Sequence, residues 1–352
     1  MYTFSPDVCH EEYLRETPPL LAFDPEADYG VWKEKVRERF LDLMGDDPVQ
    51  VPPRTMIEWE KETKEYTERR FAFDTEPFAS VPCHLLIPKK GKAPYPLVIC
   101  LQGHSTGMHI SLGNPIYEGD EEVVSGGDRD FALQAVREGY AALTIEQRGF
   151  GERKCNREKY LWRDTTCEHP AMVALLMGRT LLRERAWDVS RAIDVIETFP
   201  EIDKDKIALM GNSGGGTATY YTACLEPRIK TAMPSCSVCA FERSIVMRRH
   251  CDCNYVPRMA KYMDMGEMAC MIAPRPLIIV AGEKDPSFRI DGTKKVYEVV
   301  KQIYAKEGVP DNCRLIIGPE GHRFYADLSW PTFRELFLGK DGKQESEKEK
   351  DK

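Results

Sequence analysis

A chain of 352 residues, 42% of them hydrophobic, can bury a sizeable core as one large α/β domain with a decorated edge or as two small domains. Its net charge of −8 speaks against a polyanionic partner, so no nucleic acid is expected. Apolar runs such as "AMVALLM" at Ala171–Met177 are far shorter than the roughly eighteen residues of a membrane span, so no membrane is expected either.

The start, "MYTFSPDVCHEEYLRE", lacks the basic end and apolar run of a secretory signal, which predicts a cytoplasmic location. The twelve cysteines then read as thiols in a reducing compartment. Cys236, Cys239, Cys251 and Cys253 have short spacings that merit weighing as zinc ligands, but C-x-C is unusual for zinc and buried thiols are common. Neither a metal nor a cofactor is expected.

Residues 1–68 read as an N-terminal extension packing on the core. Its amphipathic stretch "YGVWKEKVRERFLDLMG" predicts a docking helix, with Val31, Trp32, Val36, Phe40, Leu41 and Leu43 at near-helical spacing. From 69 to 338 the pattern is that of an α/β domain with a mostly parallel sheet of about eight strands flanked by helices. "RRFAFDTE" and "SVPCHLLIP" open it, and "YPLVICLQGH" is the near-continuous apolar run of a strand buried on both faces. "FALQAVREGYAALTI" supplies a helix closed by Gly139 and then a strand, and "RAWDVSRAIDVIETFP" followed by "KIALM" repeats the step. Three more strands are predicted in "TAMPSCSV", "RPLIIVAG" and "CRLIIGPEG". Residues 339–352 carry almost nothing to bury and read as a disordered, charged tail.

The chemistry centres on "IALMGNSGGGTATYY", between a strand and a helix. A Walker loop needs Lys before Ser or Thr after its last glycine, and here Thr217 and Ala218 follow Gly216. A dinucleotide fingerprint needs G-x-G-x-x-G, a spacing that Gly211, Gly214 and Gly216 miss. G-x-S-x-G fits: Gly211, Asn212, Ser213, Gly214 and Gly215 form a nucleophile elbow, whose tight backbone demands small neighbours.

A serine hydroxyl needs a base to take its proton and an acid to orient that base, placed beyond later strands in the order Ser, acid, His. Asp285 follows the strand "LIIVAG", and His322 follows "LIIG" as the only histidine after His250. Glu283 stays open as an alternative acid; Asp285 is favoured because a proline follows it. The oxyanion donors are read as the N–H of Gly214, just after the nucleophile, and the backbone N–H of His104 in the turn after "YPLVICLQGH". Arg148, Trp162, Tyr255 and Phe288 are candidate substrate contacts, with Trp187 and Trp330 further aromatic candidates; an ion pair of Arg148 with Glu146 or Glu152 is an equal reading.

Together, "LQGHSTG", "EQRGFGER", "GNSGGGTATYY", "CDCNYVP", "IAPRPLIIVAGEKDP" and "EGHRFYA" resemble the α/β-hydrolase superfamily. Within it they resemble bacterial dienelactone-hydrolase-like proteins of the acetyl xylan esterase-like branch. The resemblance implies the α/β-hydrolase fold and a serine esterase, often acting on acetylated carbohydrate, with Ser213, Asp285 and His322 as the triad and the stretch Glu146 to Gly151 beside the site. "LQGH" departs from the "HGGG" of many lipases, which affects the second oxyanion donor. The expected partner is a small-molecule or oligosaccharide ester, and a homo-oligomer is left open. Competing readings are a dienelactone-type hydrolase, a peptidase of the same fold and a non-catalytic binding protein; Ser rather than Cys at 213 argues against the first, and the full triad against the last.

Overall fold

The computed structural model describes residues 4–155 and 166–350. The strands are β1 (Met56–Glu62), β2 (Tyr66–Glu76), β3 (Ala79–Pro88), β4 (Tyr95–Leu101), β5 (Ala141–Ile145), β6 (Ile202–Asn212), β7 (Ile229–Ser235), β8 (Leu277–Gly282) and β9 (Cys313–Gly318). They form one sheet in the order β1-β2-β3-β5-β4-β6-β7-β8-β9. The edge from β1 to β3 is antiparallel, β3 pairs antiparallel with β5, and every pair from β5 through β4 to β9 is parallel. This is the α/β-hydrolase fold.

The buried stretches of the central strands are largely apolar because the sheet is covered on both faces there. Leu97, Ile99, Ile207, Leu209, Leu277 and Ile279 face one core, and Val98, Cys100, Ala208, Met210, Ile278 and Val280 face the other. That is the two-residue side-chain period of a strand split between two layers. The first core receives the helices Tyr29–Met44, Leu181–Ile196, Gly214–Leu225 and Ile290–Lys306; the second receives Phe131–Arg137 and the start of Ala326–Lys350.

The helix expected in the N-terminal region spans Tyr29–Met44, capped by the Asp28 side chain, which accepts the N–H of Val31. It buries Trp32, Val36, Phe40, Leu43 and Met44, while Val31 and Leu41 face solvent. β1 falls where the sequence reads as extension; all seven of its residues are exposed, so it carries no core-facing alternation to betray it. The final helix breaks at Gly339 (φ 73°), the first residue of the segment read as a tail. Among the described residues no helix is long and apolar enough to cross a membrane.

Candidate active site

Parallel pairing brings the carboxyl ends of β6, β7, β8 and β9 side by side, and the loops that leave them build the site. Ser213 directly follows β6 and has φ 58° and ψ −125°, backbone that an L-residue adopts only when its surroundings hold it there. Two bonds do so: its N–H donates to Ser235 O at the end of β7 (2.9 Å), and its carbonyl accepts the N–H of Thr217 (2.8 Å) one helical turn on. The helix can start this close to the sheet because Gly215 lacks a Cβ, which would overlap Leu101 O of β4.

Asp285 lies beyond β8 and His322 beyond β9, with His322 Nδ1 2.7 Å from Asp285 Oδ2. Burial works to raise the Asp285 carboxyl, but the hydrogen bond and charge of His322, with the N–H groups of Ser287 and Phe288, hold it below its ordinary value. An ionised Asp285 fixes the proton on Nδ1 and leaves Nε2 with the lone pair a base requires. Phe288 lies flat against the imidazole, with centroids 5.9 Å apart and planes 15° apart, so this candidate substrate contact packs on His322. Ser213 Oγ makes no hydrogen bond among the described residues; in such sites the bond to histidine often closes only around substrate.

The loop after β4 approaches from the other side. Gly103 passes so close to the elbow that a Cβ there would stand 3.0 Å from Ser213 Cβ, and the His104 ring covers Gly214, 2.6 Å from where a Cβ would be. The loop is braced: Gln147 Nε2 donates to Gln102 O, Gln102 Nε2 donates to Ser111 Oγ (2.7 Å), and Met108 N–H donates to Glu146 (3.2 Å). The stretch from Glu146 to Gly151 thus adjoins the loop that carries His104.

Two residues near the Asp285–His322 pair had no motif to announce them. Arg129 is mostly buried before the helix Phe131–Arg137 and donates to His322 O at 3.5 Å; burial pulls its pKa down, with Cys236 and Asp285 opposing. With the Asn212 amide oriented to satisfy both its ends, its oxygen also accepts from Arg129 Nη2 (3.2 Å) and Ser213 N–H (3.3 Å). His250 stands edge-on to Phe288 and is pushed down to about 4, chiefly by burial, so it is neutral at neutral pH.

The remaining candidates disperse. Arg148 spends its guanidinium on Asp188 (2.9 Å), Glu76 (2.6 Å) and Glu184 (3.0 Å), so its ion-pair partners are not Glu146 or Glu152. Tyr255 is partly exposed and donates to Ile245 O, Trp330 is core, and Trp162 lies outside the described residues. The four cysteines weighed as one group separate. Cys236 sits against Asp285 and donates to Arg323 O; Cys239 faces Arg243 and Arg289 carbonyls; Cys251 and Cys253 meet Cys167 and His104. Asp285 and His322, which with Cys236 have metal-ligating atoms in one place, are already bonded to each other.

Among solved structures the chain is similar to a protein named as an acetyl xylan esterase from Bacteroides fragilis NCTC 9343 (TM-score 0.77, 20% identity, 95% of this chain and 96% of that one). It is also similar to the glucuronoyl esterase from Solibacter usitatus (TM-score 0.68, 17% identity, 92% and 97%). YtaP of Bacillus subtilis (strain 168), which carries the name of a hydrolase, is 26% identical over 295 residues, 81% of this chain and 92% of its own. The model of the Abhydrolase family matches residues 3–316, which takes in Ser213 and Asp285 and reaches into every strand of the sheet. On the length of that match, the chain belongs to the Abhydrolase family.

Proposed function

We propose that this protein is a serine esterase that cleaves carboxylic esters through an acyl-enzyme, with acetyl groups on short carbohydrates as its substrate class. The observation that carries the reading is Ser213 in strained backbone after β6, with an Asp285–His322 pair 2.7 Å apart on the loops after β8 and β9 at the same end of the sheet. His322 Nε2 takes the Ser213 proton as Oγ attacks the ester carbonyl, and the developing oxyanion is met by the N–H groups of Gly214 and His104. The same imidazolium protonates the leaving alcohol. Water, deprotonated by His322, then releases the acid and restores the serine. Asp285 holds the ring and offsets its transient charge.

The carbohydrate part of the reading is supported by the similar structures, which are named as acetyl xylan and glucuronoyl esterases. The test is a hydrolysis panel of acetylated xylo-oligosaccharides, methyl esters of uronic acids, a short activated acetate and aminoacyl amides. Acetate release from the oligosaccharides, with a quenched reaction showing the mass of one acetyl on Ser213, is the expected result. Good turnover of the activated acetate with none of the sugars would remove the carbohydrate class, and preference for the amides would remove the esterase.

A further inference from the structure

Beside the elbow, four metal-ligating side chains from three separate loops converge. His104 Nε2 is 3.3 Å from Cys253 Sγ and 3.9 Å from Cys167 Sγ, and the ligand atoms of His104, Cys167, Cys251 and Cys253 all lie within 4.8 Å of one another. Tetrahedral zinc with bonds of about 2.3 Å to sulfur and 2.0 Å to nitrogen separates its ligands by roughly 3.5–3.8 Å, close to what these side chains present. Cys167 and Cys253 are 1% and 2% exposed, in a small apolar cluster with Phe150, Ala171 and Leu181.

A second observation comes from charge. Arg185 is only 1% exposed and pairs with no carboxylate among the described residues. It donates to Cys167 Sγ (3.2 Å) and Arg148 O (2.7 Å), lies over the Phe150 ring, and leaves Nη1 without a partner. A buried cation beside three neutral thiols would have no described carboxylate to offset it, an arrangement that folded proteins rarely keep. Three thiolates and one imidazole on a divalent ion carry a net charge of −1, which neutralises one guanidinium.

We propose that His104, Cys167, Cys251 and Cys253 bind one zinc ion in a closed structural site, with Arg185 as its buried counter-charge. Soft thiolates with a single imidazole select zinc over the hard oxygen-seeking cations. Four protein ligands leave no position for water or substrate, so the metal's work is mechanical. His104 gives its ring to the metal while the ring covers Gly214, and its backbone N–H belongs to the loop that approaches Ser213. Zinc therefore ties the loop after β4 to the segments around Cys167 and Cys251, and His104 is a positioning residue. This second part rests on the esterase reading; the metal site does not.

The test uses the full chain, purified without chelators and analysed for metals by mass spectrometry, together with Ser213→Ala, C167S and C251S. About one zinc per chain is expected in the wild type and in S213A, falling to background in both cysteine variants. Apo protein loaded with cobalt(II) should show the intense visible bands and thiolate charge transfer of a tetrahedral sulfur-rich site, a readout that needs no activity. Removing zinc should lower kcat for an activated acetate by about 10- to 100-fold with KM little changed, and re-addition should restore it. Another metal at one equivalent, no retained metal with no cobalt spectrum, or two of the cysteines found as a disulfide in the native protein would overturn the site. Bound zinc whose removal leaves kcat unchanged would overturn the positioning role alone.

Discussion

Ser213 holds φ 58° at the end of β6, and that backbone is the residue-scale cost of presenting Oγ to the loops beyond the sheet. Two substitutions separate the hydroxyl from the strain. Ser213→Ala keeps the Cβ and the strained φ, so turnover should drop by roughly three to six orders of magnitude with the melting temperature near that of the wild type. Ser213→Gly loses the same chemistry but relaxes the backbone. It should melt above S213A, since strain of about 1–3 kcal/mol exceeds the entropy glycine adds to the unfolded chain. Equal melting of the two variants in a calorimeter would contradict a strained elbow. The proposed triad could be read from the sequence because Ser213 directly follows one recognisable strand and Asp285 and His322 lie a few residues beyond two others. Arg129 was not, because it enters from a turn before a different helix and touches His322 only through its carbonyl.

At the scale of elements, the site depends on how closely the helix Gly214–Leu225 enters between β4 and β7. Gly215 has no room for a side chain against Leu101 O, and Gly216 faces Ser235 O in the same way. Gly215→Ala should push the helix outward and carry Ser213 and the Gly214 N–H with it. Its kcat should fall at least 100-fold, with a loss of stability of about 2 kcal/mol or more in urea unfolding. Wild-type kcat in a folded G215A would show that this close approach is not needed. The helices and buried strands were readable from their periodicity, since each buries a stripe or both faces. β1 was not, because an edge strand exposed along its whole length has the pattern of a solvated loop.

Across the whole molecule, stability should depend on pH through buried carboxyls of opposite behaviour. Burial raises Glu146 from 4.5 to about 7 and Asp264 from 3.8 to about 7, so between those values the folded chain holds protons that the unfolded chain has released. Stability from these groups therefore falls as pH rises from about 4.5 to 7 and levels off above it. Asp285 acts in the other direction: its folded value is depressed, so its contribution is present above 3.8 and is lost as pH drops below. Glu146→Gln should flatten the decline between pH 5 and pH 8 by up to roughly 3 kcal/mol in chemical denaturation. An unchanged slope in E146Q would assign the decline to other groups. The sequence by itself determined the layered sheet and the tight glycine-flanked turn after β6, because strand periodicity and turn chemistry are local and are written in consecutive residues. Only the tertiary structure decided which cysteines meet. His104 and Cys253 are 149 positions apart, and what joins them is the packing of three loops around the buried charge of Arg185, a neighbourhood that no local spacing encodes.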